Sequence, residues 1–147
     1  MSKRLIELFV IDIIIAIDKI KRYTDSFNSA DELLHSEMQW DATIRELEII
    51  GEATKNLLNE KFLEDEWRVI VDFRNIIIHE YFGIEHNEVY EVVKSDILEF
   101  EKEILKSLNK FNNDELLQVI EDSIIDHKYN KKVISLLEEI KNELGNV

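Results

Sequence analysis

Three observations predict an all-α helical bundle: the 147-residue chain has no proline, it has only three glycines, and its apolar residues recur at spacings of three and four. Without proline, long helices run unbroken, and without glycine the tight turns of an all-β hairpin protein have almost no residues to make them. Apolar residues at i, i+3, i+4 and i+7 lie on one face of a helix, and such faces must pack on one another. A chain of this length buries a core without disulfides or a structural metal.

The first helix is expected from Lys3 to Tyr23, with Leu5, Phe9, Ile13, Ala16 and Ile20 as its buried stripe. The polar connector TDSFNSADE follows, with a short helix from Ala30 to His35. A second long helix covers Trp40 to Asn59, with Ile44, Leu47, Ile50 and Leu57 among its apolar positions. Gly51 lies inside it, where glycine costs about 1 kcal/mol relative to alanine; close approach of another helix is the expected compensation. The third helix runs from Asp65 to Tyr81 and ends at YFGI, where Gly83 is expected to supply a left-handed C-terminal residue. Val89, Val92, Val93, Ile97, Phe100, Ile104 and Leu108 define the core face of a fourth, from Glu88 to Leu108. These helices make a four-helix bundle over residues 1–110.

Residues 111–147 form a C-terminal helical extension, with amphipathic segments from Asp114 to Ile125 and from Lys131 to Leu144. Val133, Leu136, Leu137, Ile140 and Leu144 share one face of the last segment. That face must cover the bundle, a second subunit or a partner, and the pattern leaves all three open. There is no internal repeat or low-complexity segment.

The absence of cysteine excludes a disulfide scaffold, a thiolate zinc site and a cysteine nucleophile, and is compatible with a reducing cytoplasm. The start MSKRLIELFVIDIII has the basic and apolar parts of a signal peptide, but Glu7 and Asp12 interrupt it and no small-residue cleavage site follows. No apolar run approaches the ~20 residues of a membrane span, so a soluble, cytoplasmic protein is expected. The formal charge of −14, from 32 acids against 18 bases, argues against broad non-specific nucleic-acid binding, which neutralises phosphates with Lys and Arg. A nucleic-acid role would have to rest on a local site.

Such a site is suggested by VDFRNIIIHEYFGI, Val71 to Ile84, where an apolar helical run carries Arg74, Asn75, His79 and Tyr81. Arg68, Asp72, Asn75 and His79 fall at i, i+4, i+7 and i+11, on one stripe, beside a core face of Val69, Phe73, Ile76 and Ile77. Arg74 shares another stripe with Trp67, Val71, Ile78 and Tyr81. Arg74 and His79 point about 140° apart on an ideal helix, so two copies of the helix packed face to face would bring them together more readily than one chain does. Spacing alone leaves a structural role open: the arginine can pair with Asp72 or Glu85, the asparagine can bridge helices, and a lone helical histidine is more often structural than catalytic.

WRVIVDFRNIIIHEYFGI resembles the signature of the HepT-like branch of the HEPN superfamily, R-x-x-x-x-H-x-Y with Asn after the Arg, matched by Arg74, Asn75, His79 and Tyr81. DATIRELEIIGEATKNL is similar to the family's second-helix block ending in G-E-A, matched by Gly51, Glu52 and Ala53. The resemblance covers residues 3 to about 108, and the tail from Phe111 lies outside it. It implies a HEPN-type bundle that forms a homodimer, in which Arg and His from both subunits line a composite active site for a metal-independent endoribonuclease. It also implies a toxin and antitoxin pair, the partner being a minimal nucleotidyltransferase antitoxin of the MntA-like type that transfers AMP from ATP to Tyr81.

The residue types suit that chemistry. RNA carries its own nucleophile, the ribose 2′-hydroxyl, so cleavage needs a proton acceptor, a proton donor and a cation for the phosphorane oxygens. His79 can serve as acid or base near neutrality, and Arg74 offers a permanently charged fork to the phosphate. Asn75 would support them by orienting the imidazole or donating to a phosphate oxygen. AMP on Tyr81 would exclude RNA by occupancy and charge. The alternative for Tyr81 is a helix-end core aromatic with a solvated hydroxyl.

No cofactor or catalytic metal is expected. Glu32 and His35 have the spacing of a carboxylate-bundle ligand pair, but none of His79, His86 and His127 has Glu three residues before it to complete a second pair. His86 reads as a solvated helix-start residue, with a supporting place in the cleft left open. No Gly-rich phosphate cradle is present. The competing function is a non-catalytic HEPN subunit that binds or scaffolds a nucleotidyltransferase, its acidic surface facing that partner.

Overall fold

The computed structural model describes residues 3–145, so the first two and last two residues of the expected bundle and extension lie outside it. Among the described residues every regular element is helical: α1 Lys3–Thr24, α2 Ala30–Leu34, α3 Glu37–Asn59, α4 Arg68–His79, α5 His86–Glu91, α6 Ile97–Ser107, α7 Asn113–Asp126 and α8 Lys131–Gly145. The all-α bundle with additional C-terminal helices is the observed architecture.

α1 is the axis of the fold. Val10, Ile11, the unbroken run Ile13 to Ile17, and Ile20 are all buried, because α3, α6 and α7 pack against it. A helix that is apolar all round is one covered all round. The single stripe expected from the sequence was therefore too narrow at its centre, and at its start Leu5 is 38% exposed.

The tail covers the chain's own bundle. Leu116, Val119 and Ile120 of α7 and Val133, Leu137 and Ile140 of α8 join the same hydrophobic core as α1. Glu121 of α7 and Lys141 of α8 form an ion pair at 3.5 Å. The side chain of Asn112 caps α7, accepting from the backbone N–H groups of Asp114 and Glu115 and so satisfying donors that a helix start leaves unpaired.

α5 and α6 form one continuous run through a π turn at Val92–Asp96. Val89, Val93 and Ile97 are buried at successive four-residue steps. On a 3.6-residue helix such steps drift around the axis, and the wider π turn keeps the three on one side. α3 starts three residues before the expected Trp40, and Lys61 closes it in the left-handed region at φ 58°.

Candidate active site on helix α4

α4 packs chiefly on α3 and buries Ile70, Val71 and Ile77. The core face expected from periodicity is only partly observed: Phe73 is half-buried, whereas Val69 is 60% and Ile76 40% exposed. A helix at the edge of a bundle has protein on one side, so an apolar stripe wider than that contact is left facing out. Arg68, Asp72, Asn75 and His79, the polar stripe, are all exposed.

Arg74 is seated where α3 and α4 come closest. A Cβ at Gly51 would overlap the Cβ and Cγ of Arg74, so the expected close approach occurs and its partner is the arginine itself. The guanidinium Nη2 meets Glu52 Oε2 at 2.6 Å, and Nη1 donates to Asn75 Oδ1 at 3.0 Å. Neither Asp72 nor Glu85 is its partner: the adjacent Gly51 and Glu52 supply the notch and the counter-charge. Nε is buried with no acceptor among the described residues.

α4 ends at His79, two residues earlier than expected. Glu80 leaves the helix at φ −129°, ψ 33°, and Tyr81–Gly83 makes a single 3-10 turn. Gly83 does not have a positive φ, so the left-handed glycine cap predicted there is absent. The phenol of Tyr81 turns toward α3 and donates to Asp41 Oδ1 at 3.0 Å. That hydrogen bond, then partial burial and the charges of Asp41 and Glu48, raise its pKa above the ordinary tyrosine value. Phe82, edge-on to the Tyr81 ring, is fully exposed.

His79 is exposed and makes no hydrogen bond among the described residues, and none links it to Arg74. His86 is held: Nε2 donates to Asp31 Oδ1 at 2.8 Å and Nδ1 lies 3.3 Å from Glu85 Oε1, which ties the loop after α4 to α2. It begins α5, as expected, and its partly exposed ring bridges that helix to α2. Glu32 and His35 are taken up locally, Glu32 accepting from Asn28 N at 2.8 Å and His35 Nδ1 lying 2.8 Å from Asp31 O. Among the described residues no group of three or more His, Asp or Glu is arranged to hold a metal ion.

The family model "Ribonuclease HepT-like" matches residues 13–107, most of α1 through the end of α6. The chain belongs to the HepT-like ribonuclease family. It is 37% identical over 107 residues to "Putative RNase MJ1380" of Methanocaldococcus jannaschii, covering 71% of this chain and 97% of that one. With "Probable ribonuclease HepT" of Thermococcus cleftensis it shares 42% identity over 89 residues, 58% of this chain and 80% of the other. A third relative, "Gamma-glutamylcyclotransferase and putative RNase MJ0434" of M. jannaschii, is 36% identical over 110 residues, which span 73% of this chain but 49% of that protein. No solved structure matches the chain significantly.

In this HepT-like chain α3 lays an acidic stripe along the motif. Asp41, Glu48 and Glu52 fall at i, i+7 and i+11, so all three lie on one face; Asp41 meets Tyr81 at one end and Glu52 meets Arg74 at the other. Asp41 and Glu52 are candidate site residues that reading the motif did not assign: Glu52 stood in the G-E-A block without its pairing to Arg74, and Asp41 was not singled out. The spacing was visible, but an acidic stripe reads as a solvated face until the helix opposite it is known. No described helix is long and apolar enough to cross a membrane.

Proposed function

We propose that this HepT-like chain is the toxin of a two-component pair, a metal-independent endoribonuclease whose active site is composed by two copies of α4. The observation that carries the reading is the surface around His79: an unengaged, exposed histidine set among exposed Ile76, Ile78 and Phe82. An exposed apolar patch of this kind marks an interaction surface, and a two-fold axis through it would bring each histidine toward the other subunit's arginine. One histidine per chain then becomes two proton-transfer groups per site.

In the proposed step one His79 accepts the proton of the ribose 2′-hydroxyl as it attacks the adjacent phosphorus, the other protonates the leaving 5′-oxygen, and Arg74 stabilises the charge on the phosphorane. Asn75 holds one arm of the guanidinium. Glu52 occupies the other, so the RNA phosphate has to compete with a carboxylate already in place. A net charge of −14 does not prevent this, since screening confines the relevant field to about a Debye length, ~8 Å at physiological salt. Tyr81, in the turn that follows the same helix, is the acceptor of AMP from a nucleotidyltransferase antitoxin, and the added phosphodiester closes the site to RNA.

Mixed dimers test the composite site. Arg74→Ala and His79→Ala homodimers should each lose RNA cleavage while remaining folded and dimeric. Co-refolding the two should restore part of it, because the shared cleft of a heterodimer keeps one arginine and one histidine. Restored cleavage in verified heterodimers would support the shared site, and a monomeric parent by light scattering would sink it. Undiminished cleavage by His79→Ala would sink the chemistry.

A further inference from the structure

Tyr81 and Asp41 are forty positions apart in sequence and meet through the phenolic hydroxyl at 3.0 Å. The turn after α4 folds back along α3 and sets the oxygen against a carboxylate that is itself exposed. The tyrosine is 39% exposed, so a second reactant can reach the oxygen while the carboxylate holds its hydrogen.

We infer that Asp41 is the proton acceptor in the modification of Tyr81, an inference that rests on reading Tyr81 as the nucleotide acceptor. The Tyr81 oxygen forms a bond to the α-phosphorus of ATP carried by the transferase. The bond from that phosphorus to the oxygen bridging to the β-phosphate breaks, and pyrophosphate leaves. The phenolic proton passes to the Asp41 carboxylate and from there to water.

Prior ionisation of the phenol is the competing route, and the surroundings oppose it. A free phenol ionises near pH 10, so little phenolate exists at neutral pH. The hydrogen bond to Asp41, with partial burial and the charges of Asp41 and Glu48, makes phenolate scarcer still. A base already in contact removes the proton as the oxygen–phosphorus bond forms, when the phenol has become far more acidic. The aspartate of a protein-kinase catalytic loop handles its substrate hydroxyl in the same way. Glu48 contributes charge but makes no hydrogen bond to the phenol among the described residues, so Asp41 is the base.

The test uses the full chain in complex with its nucleotidyltransferase partner, supplied with ATP and Mg²⁺, and follows the mass of the peptide containing HEYFGI over a range of pH. Asp41→Asn keeps an oxygen to accept the hydroxyl hydrogen and removes the base. Its rate of AMP incorporation should fall by roughly 10²-fold at neutral pH and climb as pH approaches phenol ionisation, where the parent's rate is flat. Asp41→Ala should be slow as well and recover part of the rate when formate is added as a small carboxylate base; a side chain that only oriented the ring would show no such rescue. Parental rates in Asp41→Asn, or no rescue of Asp41→Ala by formate, would overturn the role of Asp41 while leaving Tyr81 as acceptor. No added mass on the parent's peptide would overturn the reading of Tyr81, and the role of Asp41 with it.

Discussion

Gly51 and Arg74 interlock: the space that a side chain would need on α3 is filled by the Cβ and Cγ of the arginine on α4. An interior glycine weakens a helix, and here the loss is offset by letting a long cationic side chain start from inside a helix contact and emerge at its edge. The next residue, Glu52, takes hold of the far end at 2.6 Å. Two consecutive residues of α3 thus fix both the root and the tip of the arginine proposed to stabilise the phosphorane.

Gly51→Ala should therefore be destabilising, although alanine is the better helix former by about 1 kcal/mol. The overlap is with the root of Arg74, not the flexible end of a side chain, so the helices must separate. Overpacking of this kind costs about 1–3 kcal/mol, which outweighs the helical gain. Denaturant unfolding measures the first effect. Loss of RNA cleavage beyond what the unfolded fraction explains measures the displacement of Arg74.

Glu52→Gln keeps an oxygen for the guanidinium and removes the charge that competes with phosphate. We expect KM for RNA to fall and kcat to change little. Glu52→Ala, which removes the hold as well, should lower kcat. If both variants behave alike, Glu52 acts on Arg74 through charge alone or not at all.

How much of this was legible in the sequence differs between helices and their neighbours. Apolar periodicity located the long helices, because a helix's own contacts at i+3 and i+4 are local. It failed at Val69 and Ile76, whose exposure depends on α4 standing at the edge of the bundle. It was also too narrow for α1, where Ile11 and Ile14 are buried too because α3, α6 and α7 all pack on that helix. Arg74, Asn75, His79 and Tyr81 stood out as polar interruptions of an apolar run. Their pairing with Glu52 and Asp41 did not, since an ion pair across 22 residues and a hydrogen bond across 40 are set by tertiary packing.

The tail should be indispensable for stability despite lying beyond the residues that match the family. Val133 and Leu137 are fully buried and Ile140 nearly so. At about 1.5–3 kcal/mol for each large aliphatic side chain, removing α8 forfeits roughly 5 kcal/mol or more and leaves the apolar face of α7 in water. Deleting residues 130–147 is expected to give aggregation or a large drop in melting temperature. A truncated chain that melts like the parent would show that α8 contributes little to the bundle.

Asp12, on α1, gives the same interface a pH dependence. Burial pushes its carboxyl up to about 6, the neighbouring His127, just past the end of α7, acts to lower it and Asp126 to raise it further. The folded value lies above the ordinary aspartate value of 3.8, so the fold binds the proton more tightly than the unfolded chain does. The stability this contributes is fully present below about 3.8 and is lost as pH rises through about 6. At neutral pH α1 therefore carries an unfavourable charge, which Asp12→Asn removes at nearly constant volume. After allowance for solvent screening at a partly exposed group, the gain is about 1–2 kcal/mol, or a few degrees in melting temperature for a chain of this size. Melting curves of parent and variant should lie apart at pH 7.5 and converge toward pH 4. Comparing the pair cancels the other carboxylates, whose protonation changes the stability of both alike. A gap that stays constant across that range, or a variant less stable than the parent at pH 7.5, would show that Asp12 is held as a favourable charge, with His127 outweighing its burial.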